Sequence, residues 1–232
     1  MPSSIRQLVS SICRNTPMSL HPDSQGKVPV TAVVLAAGLG RRMGASNKLL
    51  LPYQGQPMLR HIVNQALASL CHRVVVVLGH QSDVVRQALA GLPVDFTDNP
   101  HFSEGLAASV RVAAHMTPLD SPILIMLGDM PQVDTRVINA LVKAYDAAAG
   151  LDPSLAATRF FQPVFEGQPG NPVLWGASWR SALQAVQGDE GARRVIKANL
   201  PARVLVAVDH VGILRDVDQP DDLAPMGMSP LL

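Results

Sequence analysis

The sequence predicts an α/β domain in which a mostly parallel sheet lies between two layers of helices. Continuous apolar and β-branched runs such as 73–79 are typical of strands buried on both faces. Segments with helical spacing of apolar residues separate these runs, which favours right-handed crossovers and a single Rossmann-like three-layer α/β/α domain. With 232 residues, of which 47% are hydrophobic and 16% charged, the chain can bury one full core.

The first half of the chain alternates strands and helices. Strand 30–37 is an unbroken apolar run, and Pro57 suits the first turn of the helix that comes next. Strand 73–79 leads into another helix, which we expect Ser82 to cap and Gly91 to end. These patterns predict two strand–helix units at the start of the sheet.

The second half begins in the same way and then changes. A short strand, 94–99, is followed by a helix entered through Gly105. After the central strand 122–129, Asp134 is expected to cap a long helix. Residues 155–175 are rich in strand formers and interrupted by Pro and Gly, which predicts antiparallel additions in the C-terminal half. The domain is completed by two helices and a strand, over 177–187, 190–199 and 203–208.

We expect residues 28–223 to form this single domain. Residues 1–27 contain Ser, Arg and Pro, carry no acid before Asp23 and lack the apolar centre of a signal peptide. They predict a disordered extension, or a chain whose physiological start is Met18. Residues 224–232 predict a flexible tail.

Composition excludes several classes of function. The formal net charge of +1 argues against a general nucleic-acid binder. No apolar run approaches the length that spans a bilayer, so we expect no membrane partner. The two cysteines, Cys13 and Cys71, show no paired spacing. We therefore expect no disulfide, no cysteine-held metal, and a cytoplasmic location.

A glycine-rich, basic loop after the first strand predicts an anion-binding site. Glycines at the end of a strand let backbone N–H groups approach an anion, and nearby cations neutralise it. Arg42 and Lys48 are the candidate phosphate clamps, and no Asp or Glu occurs between Ser24 and Ser82. A nucleoside triphosphate fits this combination best. The loop contains three glycines and three cations: Gly38, Gly40, Gly44, Arg41, Arg42 and Lys48.

Two common glycine loops do not match this segment. A dinucleotide fingerprint requires G-x-G-x-x-G and an acid about 20 residues later. Here the spacing is G-x-G-x-x-x-G and the first acid downstream is Asp83. A P-loop requires Gly-Lys-Ser/Thr, whereas Lys48 follows Asn47. The alternative to anion binding is a tight turn with solvated arginines.

An aspartate ends the central apolar strand and predicts a metal site. A carboxylate at the depth of Asp129 needs a partner or a metal ion. Mg²⁺ prefers one or two carboxylates together with water and phosphate oxygens. Asp216 and Asp218 offer the second carboxylate, because alternation would place both on one face of a predicted strand. The alternative role for Asp129 is to cap a helix or tie the loop.

The loops that follow the four predicted strands 30–37, 73–79, 94–99 and 122–129 are expected to converge at one edge of the sheet. Ligands in open α/β sheets bind beyond the carboxyl ends of the strands, where these loops fall. Gly79, at the end of the second strand, is expected to line the nucleotide site. Ser109, in the helix entered through Gly105, is either a ligand contact or a residue packed under the sheet.

Six ordered motifs resemble those of the molybdenum cofactor nucleotidyltransferases, which have a GT-A-like fold, and most closely the cytidylyltransferases among them. The resemblance implies Mg²⁺-dependent transfer of CMP from CTP to the terminal phosphate of molybdopterin, release of pyrophosphate, and a molybdoenzyme that receives the product. The motifs span about residues 28–223: LAAGLGRRMG with Lys48, NPHFSEGLAASV, LGDMPQV, GQPGNPVLW, GDEGARR and DVDQPDDL.

The resemblance also implies roles for particular residues. Asp129 would be the main metal ligand and Asp218 the second, while Arg42 and Lys48 would neutralise the phosphates as catalytic residues. The acceptor side would be formed by one loop: Gly170, Asn171 and Pro172. The nucleotide would face backbone groups of the first strand and its loop: Leu35, Ala36, Ala37, Gly38 and Gly40.

The base and the acceptor are the least constrained parts of this interpretation. Related guanylyltransferases read L-A-G-G, so Ala37 points to cytosine. Leu106 stands where Met is common and Asn171 where His is often seen, which leaves the acceptor open. The alternatives are a guanylyltransferase, transfer to another phosphorylated small molecule, and a non-catalytic nucleotide-binding chaperone for a molybdoenzyme. A nicotinamide-dependent oxidoreductase is disfavoured by the glycine spacing.

Overall fold

The computed structural model describes residues 29–38, 47–218 and 222 of the chain. None of the described helices combines the length and the apolar character that crossing a bilayer requires. The predictions made for part of the glycine loop and for both ends of the chain lie outside the described residues: Gly40, Arg41, Arg42, Gly44, 1–27 and 224–232.

Strands and helices alternate along the described chain. The strands are β1 (Thr31–Ala36), β2 (Pro52–Tyr53), β3 (Gln56–Pro57), β4 (Arg73–Leu78), β5 (Asp95–Asp98), β6 (Ile123–Leu127), β7 (Phe160–Phe165), β8 (Gln168–Pro169), β9 (Val173–Trp175) and β10 (Arg203–Ala207). The α-helices are α1 (Met58–Leu67), α2 (Ser82–Ala88), α3 (Leu106–Met116), α4 (Thr135–Leu151), α5 (Pro153–Ala157), α6 (Arg180–Gln184) and α7 (Arg193–Ala198). Short 3₁₀ turns cover Lys48–Leu50, Phe102–Glu104, Ala177–Trp179, Leu200–Ala202 and Val211–Leu214.

The sheet has the mostly parallel topology that the sequence predicts. Its strands follow the order β10-β7-β9-β6-β1-β4-β5, and β8 pairs with β7 at its edge. β1 is parallel to both of its neighbours, β4 and β6, and β5 is parallel to β4. β9 runs antiparallel between β6 and β7. The antiparallel additions are confirmed for β8 and β9, whereas β7 and β10 run parallel to each other.

Helices cover both faces of the sheet, so the three-layer arrangement is confirmed. Every residue of β1 is buried, and alternate side chains enter two separate cores. Val34 lies in the core that includes residues of α1 and α4. Val33 lies in the core that includes residues of α3 and the aromatic side chains of Phe160 and Trp175.

The predicted cap of α2 is wrong. Ser82 is the first helical residue, and Gln81 precedes it in the left-handed region with φ 56° and without a side-chain capping bond. Gln81 therefore turns the chain through its own backbone conformation. The presence of Ser82 in the sequence does not reveal this. Helix α2 ends at Ala88, three residues before Gly91, whose φ is +80°.

Part of the segment predicted to be strand-rich is helical. Residues 153–157 form α5, because Asp152 accepts a hydrogen bond from the N–H of Leu155 and Pro153 occupies the first turn. The strand prediction over 155–175 is therefore wrong for its first residues and holds from Phe160 onward.

The predicted cap of α4 is confirmed. Asp134 Oδ1 accepts hydrogen bonds from the N–H groups of Arg136 (3.0 Å) and Val137 (3.1 Å). Desolvation acts to raise the pKa of Asp134, but the hydrogen bonds and the nearby charges of Arg136 and His210 lower it overall. Helix α4 is thus fixed at the end that follows the turn containing Asp129.

Replacing Asp134 by Ala is expected to lower the free energy of unfolding by about 1 kcal/mol at neutral pH, since a helix cap is lost. Because the folded pKa lies below the ordinary 3.8, this contribution is fully present above pH 3.8 and is lost as the pH falls through the folded value. Urea unfolding of the wild type and the variant at several pH values measures the difference, with the exposed Asp209→Ala as control. A difference that stays constant at acidic pH would contradict the assignment.

Candidate active site

A lysine lies among carboxylates at the carboxyl edge of the sheet. Lys48 Nζ donates hydrogen bonds to Asp129 Oδ2 (2.8 Å), to the Val217 carbonyl (2.9 Å) and to Asp218 Oδ1 (3.0 Å). The side chains of Lys48 and Asp129 are only 14% and 22% exposed. The structure therefore brings together three residues that the sequence analysis assigned to one site.

Backbone hydrogen bonds hold Asp129 in place. Strand β6 ends two residues earlier at Leu127, and the N–H of Gly128 donates to the Leu35 carbonyl of β1 (3.0 Å). The carbonyl of Asp129 accepts from the N–H of Val217 (2.9 Å). The carboxylate is thus fixed to the central strand on one side and to the last described segment on the other.

The other two parts of the site come from the ends of the domain. Lys48 begins a 3₁₀ turn that Asn47 caps through its side-chain oxygen. Residues 215–218 have no regular secondary structure, so the strand predicted there is wrong. Val217 is nonetheless fully buried, while Asp216 and Asp218 both join the carboxylate cluster. The predicted alternation therefore holds without sheet pairing in this segment.

The carboxylate cluster fits a divalent cation. One ligand oxygen each from Asp129, Asp216 and Asp218 lies within 4.8 Å of the others. Asp129 Oδ1 is buried, and no hydrogen-bond donor among the described residues reaches it. An orphaned buried oxygen carries a desolvation cost that a cation would offset. An all-oxygen donor set suits a hard cation such as Mg²⁺. Asp216, the alternative that sequence reasoning offered beside Asp218, belongs to the same cluster.

The cluster perturbs the ionisation of its members. Desolvation alone would lower the pKa of Lys48, but the charge of Asp129 and the hydrogen bonds to Asp129 and Asp218 raise it above its ordinary value. Although Asp216 is exposed, partial desolvation of its carboxyl group and repulsion from Asp129 raise its pKa. Lys48 is therefore held as an ammonium ion among these carboxylates. A cation bound in the same place would also relieve the repulsion between them.

The residues predicted to face the nucleotide occupy two different environments. Leu35 and Ala36 are inside β1, and the Leu35 carbonyl is engaged in the bond described above. Ala37 and the exposed Gly38 extend beyond the strand. A Cβ at Gly79 would lie 2.7 Å from the Cβ of Ala37, so the two loops approach closely there. The Ala37 methyl is buried in this contact.

Ser109 is packed within the fold. It is 5% exposed, and its hydroxyl oxygen accepts a hydrogen bond from the side-chain amide of Asn99 (3.1 Å). The other end of that amide accepts from the N–H of His101 (3.0 Å), which orders the loop before α3. These contacts fit the alternative in which Ser109 is packed under the sheet. A contact of Ser109 with nucleotide stays a prediction.

The predicted acceptor loop borders a cavity of about 320 Å³, which Gly170 and Asn171 line. The Gly170 carbonyl accepts from the Gln162 amide (3.0 Å), and the Asn171 N–H donates to the Ile213 carbonyl (3.0 Å). A Cβ at Gly170 would lie 2.3 Å from the Ile213 carbonyl oxygen, so only glycine fits. Pro172 is buried and follows a cis peptide bond.

Sequence reasoning assigned no role to the cationic residues of this cavity, although Arg193 stands in the motif GDEGARR. Arg193, Lys197 and Arg203 line it together with apolar side chains. The four-residue spacing of Arg193 and Lys197 places them on one side of α7, and that spacing is a signal the sequence contains. Arg203 joins them only through the pairing of β10 with β7, which the sequence does not show.

Comparison with known proteins identifies relatives over most of the chain. Nicotine blue oxidoreductase of Paenarthrobacter nicotinovorans is 31% identical over 165 residues, which cover 71% of this chain and 79% of that protein. The bifunctional protein GlmU of Halorhodospira halophila is 36% identical over 143 residues, which cover 61% of this chain and 29% of that protein. The chain thus spans less than a third of the length of GlmU.

Solved structures share the fold over nearly their whole length. Rv0371c from Mycobacterium tuberculosis H37Rv has a TM-score of 0.72 at 28% identity, covering 86% of this chain and 97% of that one. Its complex with manganese has a TM-score of 0.70 at 28% identity, with 86% and 98% covered. The model of a family described as the MobA-like NTP transferase domain matches residues 32–204. That match includes Lys48 and Asp129 and three quarters of the sequence, so the chain belongs to the MobA-like NTP transferase family.

Proposed function

We propose that this chain is a Mg²⁺-dependent cytidylyltransferase that transfers CMP from CTP to the terminal phosphate of molybdopterin. Membership of the family supports nucleotidyl transfer, and the motifs described above support cytosine and molybdopterin. The observation that carries the proposal is the contact of Lys48 with Asp129 and Asp218, next to the buried Asp129 oxygen that lacks a donor among the described residues. Rv0371c, a relative at 28% identity, forms a complex with manganese, which supports a divalent cation here.

In this proposal the carboxylates hold the cation and Lys48 serves the triphosphate. Asp129 and Asp218, with Asp216 beside them, would be the protein ligands. A bound Mg²⁺ supplies charge neutralisation on the phosphates during transfer. Lys48 then exchanges its carboxylate partners for phosphate oxygens, where a fixed ammonium stabilises the charge that develops. Arg42, outside the described residues, is proposed to act on the same phosphates.

The reaction forms one bond and breaks one bond at the α-phosphorus of CTP. An oxygen of the acceptor phosphate attacks in line, the bond to the β-phosphate oxygen breaks, and pyrophosphate leaves with the electron pair. The attacking oxygen is already an anion, so no proton has to be removed. The site therefore needs positioning and charge stabilisation rather than a general base, and Lys48 and the acidic cluster suit this requirement.

The cavity beside the acceptor loop is the proposed acceptor site. Its floor includes Ile125, Leu127 and Trp175, which suit the flat face of a ring system. Leu127 lies two residues before Asp129, so the cavity begins next to the proposed metal site. Gly170 and Asn171 lie at the cavity wall as predicted substrate contacts.

A panel of triphosphates tests this function directly. Purified protein is incubated with CTP, GTP, ATP or UTP, with and without molybdopterin, and released pyrophosphate is measured. We expect release from CTP that requires both molybdopterin and Mg²⁺ and stops when EDTA is added. Substitution of Mn²⁺ for Mg²⁺ is expected to restore activity after EDTA treatment, because both are hard divalent cations.

The other outcomes of the panel separate the alternatives. Release from GTP would assign a guanylyltransferase, and release with a different phosphorylated acceptor would change the acceptor. Binding of CTP without release would favour a maturation chaperone. Thermal stabilisation by NAD but not by CTP with Mg²⁺ would favour an oxidoreductase, the activity in the name of the Paenarthrobacter relative.

Three further statements stay proposals from the sequence. We propose residues 28–223 as the catalytic domain, a cytoplasmic location, and a molybdoenzyme as recipient of the product. The near-neutral net charge of +1 continues to argue against nucleic acid as a partner.

A further inference from the structure

One stretch of chain, residues 213–218, touches the acceptor loop and carries two members of the carboxylate cluster. At its start, the carbonyl of Ile213 accepts a hydrogen bond from the N–H of Asn171 in the acceptor loop (3.0 Å). At its end, Asp216 and Asp218 join the cluster. We call this stretch the connecting segment, because it is in contact with both parts of the site.

The connecting segment packs directly on Gly170. A Cβ added at Gly170 would lie 2.8 Å from the carbonyl carbon of Ile213 and closer still to its oxygen. Side-chain Cβ atoms essentially never lie within 3.0 Å of such neighbours, so a larger residue at this position must displace one of the two partners. The bare backbone of the acceptor loop therefore sets the position at which the segment begins.

The acceptor loop is the firmer of the two partners. The Gly170 N–H donates to the Pro163 carbonyl (2.9 Å) and the Gly170 carbonyl accepts from the Gln162 amide (3.0 Å), so β7 holds this residue through both of its polar groups. The connecting segment pairs with no strand, and the backbone hydrogen bonds that Ile213 and Arg215 donate are both 3.4 Å long. Crowding at Gly170 is therefore expected to move the segment rather than the loop.

The turn that contains Asp129 holds the connecting segment from its other side. The N–H of Val217 donates to the Asp129 carbonyl, and the Val217 carbonyl accepts from Lys48 Nζ, both at 2.9 Å. Just before the segment, a Cβ added at Gly212 would lie 2.6 Å from the Cβ of Gln132. The segment is thus held between two surfaces, and a displacement at its start is carried to the carboxylates at its end.

We infer that Gly170 is a positioning residue for the metal site, because it seats the segment that presents Asp216 and Asp218 to the cation. The inference rests on the proposed function, in which these carboxylates bind a divalent cation. Gly170 acts through the Ile213 backbone and not by contact with the cation. The acceptor loop then has two roles, since it lines the acceptor cavity and also fixes the metal ligands.

Binding of Mn²⁺ to the nucleotide-free protein tests the inference without turnover. In Gly170→Ala the added methyl displaces the connecting segment, so we expect the Kd for Mn²⁺ to rise roughly 10–100-fold, as is typical when a contact that orients metal ligands is lost. The matched control is Gly176→Ala. A Cβ at Gly176 would lie 2.5 Å from the Ala156 carbonyl oxygen, which is a comparable clash with backbone that involves no residue of the cluster.

The control is expected to keep the Kd of the wild type. Titrations followed by electron paramagnetic resonance measure the Kd, and urea unfolding checks that each variant is folded. Equal Kd values in Gly170→Ala and Gly176→Ala would overturn the inference, and so would absence of Mn²⁺ binding by the wild type. If Gly170→Ala does not fold, Gly212→Ala decides instead, because its methyl displaces the chain just before the segment from the opposite side. An unchanged Kd in that variant would overturn the inference.

Failure of the proposed function is a separate result. It would appear as no release of pyrophosphate by the wild type with CTP, Mg²⁺ and molybdopterin. The comparison of Mn²⁺ affinities in the two glycine variants would still decide whether Gly170 positions the carboxylates.

Discussion

Replacing Asp129 by Asn is expected to reduce pyrophosphate release by about 10³-fold, because preorganised electrostatic stabilisation is the main catalytic contribution in phosphoryl chemistry. The substitution preserves the shape of the side chain and removes the charge that Lys48 contacts and that the proposed cation would share. The backbone bonds of Gly128 and Val217 that hold this turn do not involve the carboxylate. The fold is therefore expected to persist, as measured by circular dichroism and urea unfolding.

The matched control for the Asp129 substitution is an aspartate of the edge strand β5. Asp95 pairs with Arg73 (2.6 Å) at the exposed edge of the sheet, so Asp95→Asn changes the same charge away from the site. It is expected to retain full activity, since exposed ion pairs contribute little. Full activity of Asp129→Asn would refute the role of Asp129, and so would an equal loss of activity in Asp95→Asn.

Replacing Lys48 by Met is expected to change catalysis and metal binding in opposite directions. Transfer should fall by roughly 10²–10³-fold, because one fixed positive charge on the phosphates is lost. Affinity of the nucleotide-free protein for Mn²⁺ should instead rise roughly tenfold, since the ammonium that occupies the carboxylate cluster is gone. Asp129→Asn should lower both quantities. Mn²⁺ titrations followed by electron paramagnetic resonance measure the affinity.

Lys143→Met is the control for this second prediction. Lys143 is an exposed lysine of α4, so its removal changes the net charge by the same amount away from the cluster. Neither transfer nor Mn²⁺ affinity is expected to change. Weaker Mn²⁺ binding by Lys48→Met would contradict the idea that lysine and cation compete for the same carboxylates.

Much of the sheet could be predicted because its determinants are local. The unbroken apolar run of β1 and the aspartate cap of α4 each depend on neighbouring residues, and both are confirmed. The cap of α2 could not be predicted, because Gln81 turns the chain through a left-handed conformation rather than through a capping side chain. The short helix α5 had a readable signal, Asp152 followed by Pro153, that the strand pattern concealed.

The sequence could predict which residues belong to the site, but not which of them contact each other. Residue spacing put Lys48, Asp129 and one later aspartate in one site, because parallel strands end at the same edge. It assigned Lys48 to phosphate, whereas the structure pairs it with carboxylates. Lys48 and Asp129 are 81 positions apart in the sequence. Hydrophobic periodicity does not encode which such distant residues come into contact. Arg203 of the cavity was missed for the same reason, since strand β10 brings it there.

A crystal structure of the protein with CTP and Mn²⁺ tests the central claim most directly. Anomalous diffraction at the manganese edge is expected to place the ion against Asp129 Oδ1 and Asp218, with Lys48 Nζ moved from the carboxylates to phosphate oxygens. Manganese bound elsewhere, or Lys48 still held by Asp129 while the triphosphate lies in another part of the molecule, would contradict the claim.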